Sequence, residues 1–194
     1  MDWIILETRN LKKGVWLEEE IYRIIANHFE IERSQIRMKR TKWNKPFLEM
    51  KDLSKAYFNY SHTKNYLLIG FSDYFEIGVD VEEINSGHKS IGLIIECLAE
   101  EERRYIEELE KKQQREALLK IWVQKEAIGK AIGVGLLYDT SSITVKYDLD
   151  VHREHFNITF YNREIVGIVW REEEFWACVA CVRSMEMEVK MNES

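Results

Sequence analysis

The pattern of apolar and polar positions divides the chain into strands and helices. Residues 3–8 begin as a short strand, and Leu17, Ile21, Ile24 and Ile25 share one side of a helix predicted over 16–29. A short strand is expected at 34–38. Apolar runs at 56–60, 66–71 and 75–81 predict three more, the last two joined as a hairpin by Asp73 and Tyr74. Helical spacing returns at 91–97 and 99–109, where Glu100, Glu101 and Glu102 favour a helix N-terminus. A polar break at 111–115 leads into a long helix over about 113–132, which Gly133 and Gly135 end. Strands at 143–147, 156–161, 164–170 and 175–182 follow, with turns at 162–163 and 172–174. This order of elements is an α+β pattern, and no internal repeat is visible.

Two stretches carry chemistry. In the long helix, Trp122, Glu126 and Lys130 are each four residues apart and share one face, while Leu118, Leu119, Ile121 and Ile128 can bury the rest. By itself such a Glu–Lys pair is an ordinary surface feature worth about 0.2–0.5 kcal/mol. Upstream, residues 77–82 read Ile-Gly-Val-Asp-Val-Glu. Strand alternation projects Asp80 and Glu82 from one side and packs Ile77, Val79 and Val81 on the other. Alone, this is an exposed acidic strand edge. Adjacent carboxylates repel unless something positive sits between them. Mg2+ takes few carboxylates and completes its shell with water and phosphate oxygens. Asp80 and Glu82 are therefore candidate metal ligands, with Glu126 as a third.

Composition narrows the class. The 194 residues suit one domain or two small, intimately packed ones. A net charge of −6 argues against a general nucleic-acid footprint. No apolar run reaches the length of a membrane span, and the N-terminus lacks a secretory pattern. Cys97, Cys178 and Cys181 make no disulfide framework. Cys178 and Cys181 form a C-x-x-C inside a predicted strand, where they face opposite ways and read as core. A cytoplasmic, monomeric protein is expected. Arg37, Lys39, Arg40, Lys42 and Lys45 form a basic cluster that is either a solvated loop or an anion site.

Together the two stretches resemble the 4′-phosphopantetheinyl transferase superfamily, whose signature is a (V/I)-G-(V/I)-D-x-E strand followed by a W-x-x-K-E-(A/S)-x-x-K helix. Here they read IGVDVE at 77–82 and WVQKEAIGK at 122–130. The family's F-N-x-S-H segment reads Phe58, Asn59, Tyr60, Ser61, His62, and its G-K-P reads Asn44, Lys45, Pro46 with Asn in place of Gly. The resemblance covers about 44–136. It implies Mg2+-dependent transfer of the phosphopantetheine arm of coenzyme A to a serine of an apo carrier protein, with 3′,5′-ADP as the other product. The length is similar to the larger, surfactin-type branch. That implies two similar α+β halves packed as a pseudo-dimer, the active site between them, divided as 1–86 and 87–194.

Carried over residue by residue, the resemblance gives Asp80, Glu82 and Glu126 as metal ligands, Glu126 also as candidate base, and Lys130 as a catalytic phosphate contact. Ser61, His62 and Lys45 would bind coenzyme A, His62 at its 3′-phosphate, Ser61 beside the nucleotide, and Lys45 at the 3′-phosphate or the adenine side. Lys125 is a further candidate phosphate contact. The family's N-terminal basic stretch is reduced here to Arg9, Lys12 and Lys13. An acceptor surface is expected at 91–109, where Arg103 and Arg104 interrupt the glutamates and Ile91, Leu93, Ile94 and Leu98 offer apolar contact. Two other readings use the same residues: a pyrophosphate hydrolase acting on coenzyme A or a nucleotide, and a non-catalytic module that binds a carrier protein or coenzyme A.

Overall fold

The computed structural model describes residues 1–8, 17–42, 45–49, 57–85 and 91–183. In chain order its elements are β1 (Asp2–Glu7), α1 (Leu17–His28), β2 (Arg37–Arg40), β3 (Pro46–Glu49), β4 (Tyr57–His62), β5 (Tyr66–Ser72), β6 (Glu76–Glu83), α2 (Ile91–Glu96), α3 (Glu100–Glu108), α4 (Lys111–Ile132), β7 (Arg153–Phe160), β8 (Arg163–Arg171) and β9 (Phe175–Arg183). Mixed helices and antiparallel sheets make an α+β fold, as the pattern predicts.

The main body is built in four layers. α1 packs on a sheet of order β1-β5-β4, that sheet packs on a second of order β6-β9-β8-β7, and α4 covers the outer face of the second. β5 shows how alternation builds the stack. Its Leu67, Ile69 and Phe71 meet Ile21, Ile24 and Ile25 of α1, while Tyr66 and Leu68 meet the second sheet. β9 does the same one layer on, with Phe175, Ala177, Val179 and Cys181 between the sheets and Trp176, Cys178, Ala180 and Val182 toward α4. Strands covered on both faces read as continuous apolar runs, and these two do. Cys178 and Cys181 are free, buried, and on opposite faces, as expected of core residues.

Three expectations about elements are corrected. Asp73 and Tyr74 do turn the chain, with Ser72 Oγ accepting from Phe75 N at 3.0 Å, but β5 and β6 form no ladder. The turn passes the chain from one sheet to the other, and β6 pairs instead with β9, Asp80 opposite Cys178. Residues 143–147 are not a strand. Side chains of the helices take the hydrogen bonds a ladder would use: Val145 N donates to Glu102 Oε1 at 2.8 Å, Lys146 N to Gln124 Oε1 at 3.1 Å, and Gln124 Nε2 to Lys146 O at 2.6 Å. The polar run at 111–115 is the first turn of α4 rather than a break, since Lys, Gln and Arg are good helix formers. At the other end, Gly133 adopts φ +85°, and the amides of Gly133, Val134 and Gly135 all close on Gly129 O.

α4 lies against β6 at unusually short range because position 78 has no side chain. A Cβ there would stand 2.1 Å from Ala127 O and 2.3 Å from Ala131 N, both backbone atoms of α4. Gly78→Ala is therefore expected to lower stability by about 3 kcal/mol, read as a lower urea midpoint. An unshifted midpoint would mean that helix and strand have slack between them.

Candidate active site

Asp80 and Glu82 leave β6 on the same side as Gly78, toward α4, whose Glu126 and Lys130 lie one turn apart on the facing side. Lys130 Nζ donates to Asp80 Oδ1 at 2.6 Å and to Val79 O at 3.2 Å, and stands 4.0 Å from Glu126 Oε2. Ser61 Oγ, from β4, donates to the same Asp80 oxygen at 2.7 Å. Asp80 is 4% exposed, and its second oxygen, Oδ2, is buried without a hydrogen-bond partner. Ser61, Asp80, Glu82, Glu126 and Lys130 thus come together from three elements.

The electrostatics are those of crowded carboxylates. Burial and the adjacent Asp80 push the Glu82 carboxyl up to about 8, against the Trp122 indole N–H that donates to it and the Lys130 ammonium. Burial and Asp80 push Glu126 up to about 6, again opposed by Lys130. Burial alone would lower the Lys130 pKa, but Asp80, Glu126 and Glu82 outweigh it and the ammonium is held more tightly than usual.

Among the described residues no three carboxylate, imidazole or thiol groups already converge as a metal cage. The donor set nonetheless suits a hard divalent cation. Its oxygens are carboxylate, burial and the neighbouring Asp80 raise two of its members, and Asp80 Oδ2 has no hydrogen-bond partner among the described residues. Asp80, Glu82 and Glu126 would hold such a cation.

A cleft of about 240 Å³ opens beside this cluster, lined by Arg40, Lys45, Tyr60 and Lys130 with Gly133 and Gly135 from the loop after α4. Lys45 Nζ donates to Ala131 O at 3.1 Å and pairs with Glu76, so the β2–β3 hairpin is tied to the end of α4. Two larger clefts, of about 500 and 490 Å³, are lined by none of the expected site residues.

Other expected residues fall elsewhere. Lys125 cannot reach a substrate phosphate: it is fully buried, pairs with Glu102 at 2.8 Å, and donates to the carbonyls of Cys97, Thr140 and Ile143 at 2.7, 2.7 and 2.9 Å. One residue of helix turns the side chain about 100° from Glu126, which takes Lys125 into the core. His62 is exposed at the end of β4, its Nδ1 3.4 Å from Thr63 O, outside the residues lining the cleft. Ile94 and Leu98 are core, while the side chains of Ile91 and Leu93 lie outside the described residues. Arg104 pairs with Glu100, and Arg103 donates to Ile95 O. Arg9, Lys12, Lys13 and Asn44 also lie outside the described residues. Arg40 and Tyr60 are cleft residues that sequence reasoning did not single out. Arg40 was one of five basic residues in a cluster, and Tyr60 stood at the unspecified position of F-N-x-S-H.

The model of the 4′-phosphopantetheinyl transferase superfamily matches residues 76–180, which include Asp80, Glu82, Glu126 and Lys130. The chain is similar to slr0495 of Synechocystis sp., 34% identical over 92 residues that make up 47% of this chain and 37% of that one. It is 25% identical over 160 residues to 4′-phosphopantetheinyl transferase ffp of Bacillus subtilis, 77% of this chain and 69% of the relative. It is 29% identical over 129 residues to 4′-phosphopantetheinyl transferase Sfp of Bacillus subtilis, 66% of this chain and 54% of the relative. The matches thus span less than two thirds of the length of slr0495 and Sfp.

The raised carboxyls make a pH test available. From an ordinary value of 4.5, Glu126 rises to about 6 and Glu82 to about 8, so the fold binds more protons than the unfolded chain within that window. The stability they contribute is present when both are protonated and is lost as pH rises through about 6 and about 8. A divalent cation held by these carboxylates would take their ionised form, so added Mg2+ would stabilise more at the alkaline end of the window than at the acid end. Urea midpoints of wild type and Glu82→Gln across the window, with and without Mg2+, check this. A Glu82→Gln variant with the same pH slope as wild type would sink it.

Proposed function

The chain belongs to the 4′-phosphopantetheinyl transferase superfamily, and on that premise we propose that it moves the 4′-phosphopantetheine arm of coenzyme A onto a serine of an apo carrier protein. The serine oxygen forms a bond to the phosphorus that bears the pantetheine. The bond from that phosphorus to the bridging oxygen breaks, and 3′,5′-ADP leaves with the electron pair. The observation that carries the reading is the meeting of β6 and α4, where three carboxylates and one ammonium adjoin a cationic cleft.

Such a displacement needs its charge neutralised, its nucleophile deprotonated and its leaving group stabilised. Asp80, Glu82 and Glu126 would hold Mg2+, which when bound would supply Lewis-acid neutralisation of the pyrophosphate charge. Ser61 orients Asp80 through its 2.7 Å hydrogen bond. Lys130 shields the carboxylates from one another and presents an ammonium to the leaving phosphate. Glu126, one turn from Lys130 on the same side of α4, is placed to take the serine proton directly or through a water. Lys45 contributes positive charge to the nucleotide side of the cleft. His62, at the end of β4, is kept as a candidate contact for the 3′-phosphate.

The layers suit the pseudo-dimer of the larger branch, each half pairing one helix with one antiparallel sheet. The division at 86/87 falls on residues outside those described. No helix among the described residues is long and apolar enough to cross a membrane. A monomer acting in the cytoplasm fits the proposal. Incubation with coenzyme A, Mg2+ and a panel of apo carriers tests the class, read as a phosphopantetheine mass gain on a carrier. Release of 3′,5′-ADP without any carrier gaining mass would replace transfer by hydrolysis.

Two substitutions on α4 separate its roles. Glu126→Gln keeps shape and removes charge, so it should weaken Mg2+ binding, and added Mg2+ should recover part of its activity. Lys130→Met should lower kcat about a hundredfold without weakening Mg2+ binding, because its ammonium is needed most as charge builds on the phosphate. Full rescue of Lys130→Met by Mg2+ would show that the lysine acts through the metal ligands alone.

A further inference from the structure

β6 stands at the edge of its sheet, in the order β6-β9-β8-β7, so one side of its backbone has no ladder among the described residues. In an antiparallel pair the N–H and the C=O of one residue point to the same side. At Val79 both are taken by side chains from outside the sheet, which marks them as facing away from β9. Val79 N donates to Asn59 Oδ1 at 3.1 Å, and Val79 O accepts from Lys130 Nζ at 3.2 Å. Val79 is fully buried, so its backbone groups need partners within the protein.

Asn59 is itself only 3% exposed and lies in the middle of β4, opposite Gly70 of β5. Its side chain therefore crosses from the first sheet to the second. Two residues on, and so on the same face of β4, Ser61 donates to Asp80 Oδ1 at 2.7 Å. Lys130 grips the same two residues from α4, at Val79 O and at Asp80 Oδ1. The pair 79–80 is thus held on its main chain and on its carboxylate, from β4 on one side and α4 on the other. With Oδ1 accepting from two donors, Oδ2 is the Asp80 oxygen left for a cation. Ser61 and Lys130 touch the carboxylate directly. Asn59 acts one step back, on the main chain alone.

We propose that Asn59 is a positioning residue of the cation site: by closing the edge of β6 at Val79, it fixes the backbone from which Asp80 presents Oδ2. This rests on the Mg2+ reading above. Groups that orient metal ligands are worth about ten- to a hundredfold in metal affinity.

The test reads metal binding without turnover. Mg2+ is titrated calorimetrically into the full chain without coenzyme A, and hydrogen exchange of the Val79 amide gives the local readout. In wild type that amide should exchange slowly. Asn59→Leu keeps the bulk and removes the acceptor, so Val79 exchange should quicken and Mg2+ affinity should fall about tenfold or more. Asn59→Asp keeps an acceptor oxygen in place, so it should restore slow exchange and hold Mg2+ affinity within about threefold of wild type. If Asn59 only held the sheets together, Asn59→Leu would lower the urea midpoint and leave Mg2+ affinity at the wild-type value, which would overturn the proposal. So would rapid Val79 exchange in wild type, or loss of Mg2+ binding in Asn59→Asp while the Val79 amide stays protected. Those last two outcomes decide the matter even if the leucine variant does not fold. Absence of Mg2+ binding by wild type would overturn the metal reading as well.

Discussion

The contact on which the rest depends is the seat of α4 on β6. With no side chain at Gly78, the backbone of the helix at Ala127 and Ala131 lies directly over the strand. That proximity lets a lysine stem from one element reach a carboxylate on the other, and Lys130 meets Asp80 at 2.6 Å. A larger residue at 78 would lift the helix and open the pair to water, where each charge is worth much less. Helix, strand and charges are thus set by a single missing methyl group.

What fixes the rotation of α4 is its polar underside. Lys120, Gln124 and Lys125 are all fully buried. Lys120 donates to Asp148 O and Val151 O and pairs with Glu154, while Lys125 meets Glu102 and three carbonyls. Buried ion pairs add little net stability, but separating one is strongly unfavourable because a charge is left without a partner. Turning the helix by one residue would strand both lysines. The polar underside therefore holds Glu126 and Lys130 to their side of the helix, and Lys125 serves the site from the core without touching it.

Local patterns were readable and partners were not. Alternation at 77–82 and the four-residue spacing from Trp122 to Lys130 gave the facing sides of β6 and α4 directly. A turn signal at Asp73 and Tyr74 says that the chain reverses, not which strand it meets next, and β6 went to β9. Residues 143–147 have a strand's apolar spacing, but Glu102 and Gln124 compete for their backbone groups. The family pattern at Lys125 and Glu126 does not distinguish a lysine facing substrate from one facing the core. Of the five basic residues at 37–45, Arg40 and Lys45 line the cleft, a selection that depends on the fold of the β2–β3 hairpin and not on the sequence run.

The pairing of β6 with β9 also bears on how the protein comes into being. Among the described residues, the strand that carries Asp80 and Glu82 gains its ladder from residues 175–183, made long after it. On a ribosome adding about 5–20 residues per second, the first sheet and α1 can assemble while the acidic strand still waits for its partner strand. The carboxylates and Lys130 come into register only when the centre of the second sheet arrives, so chemical competence is among the last properties the nascent chain acquires. Closing a sheet across so wide a separation in sequence is intrinsically slow, and until then the exposed edge of β6 is the part of the molecule most open to pairing with the wrong partner.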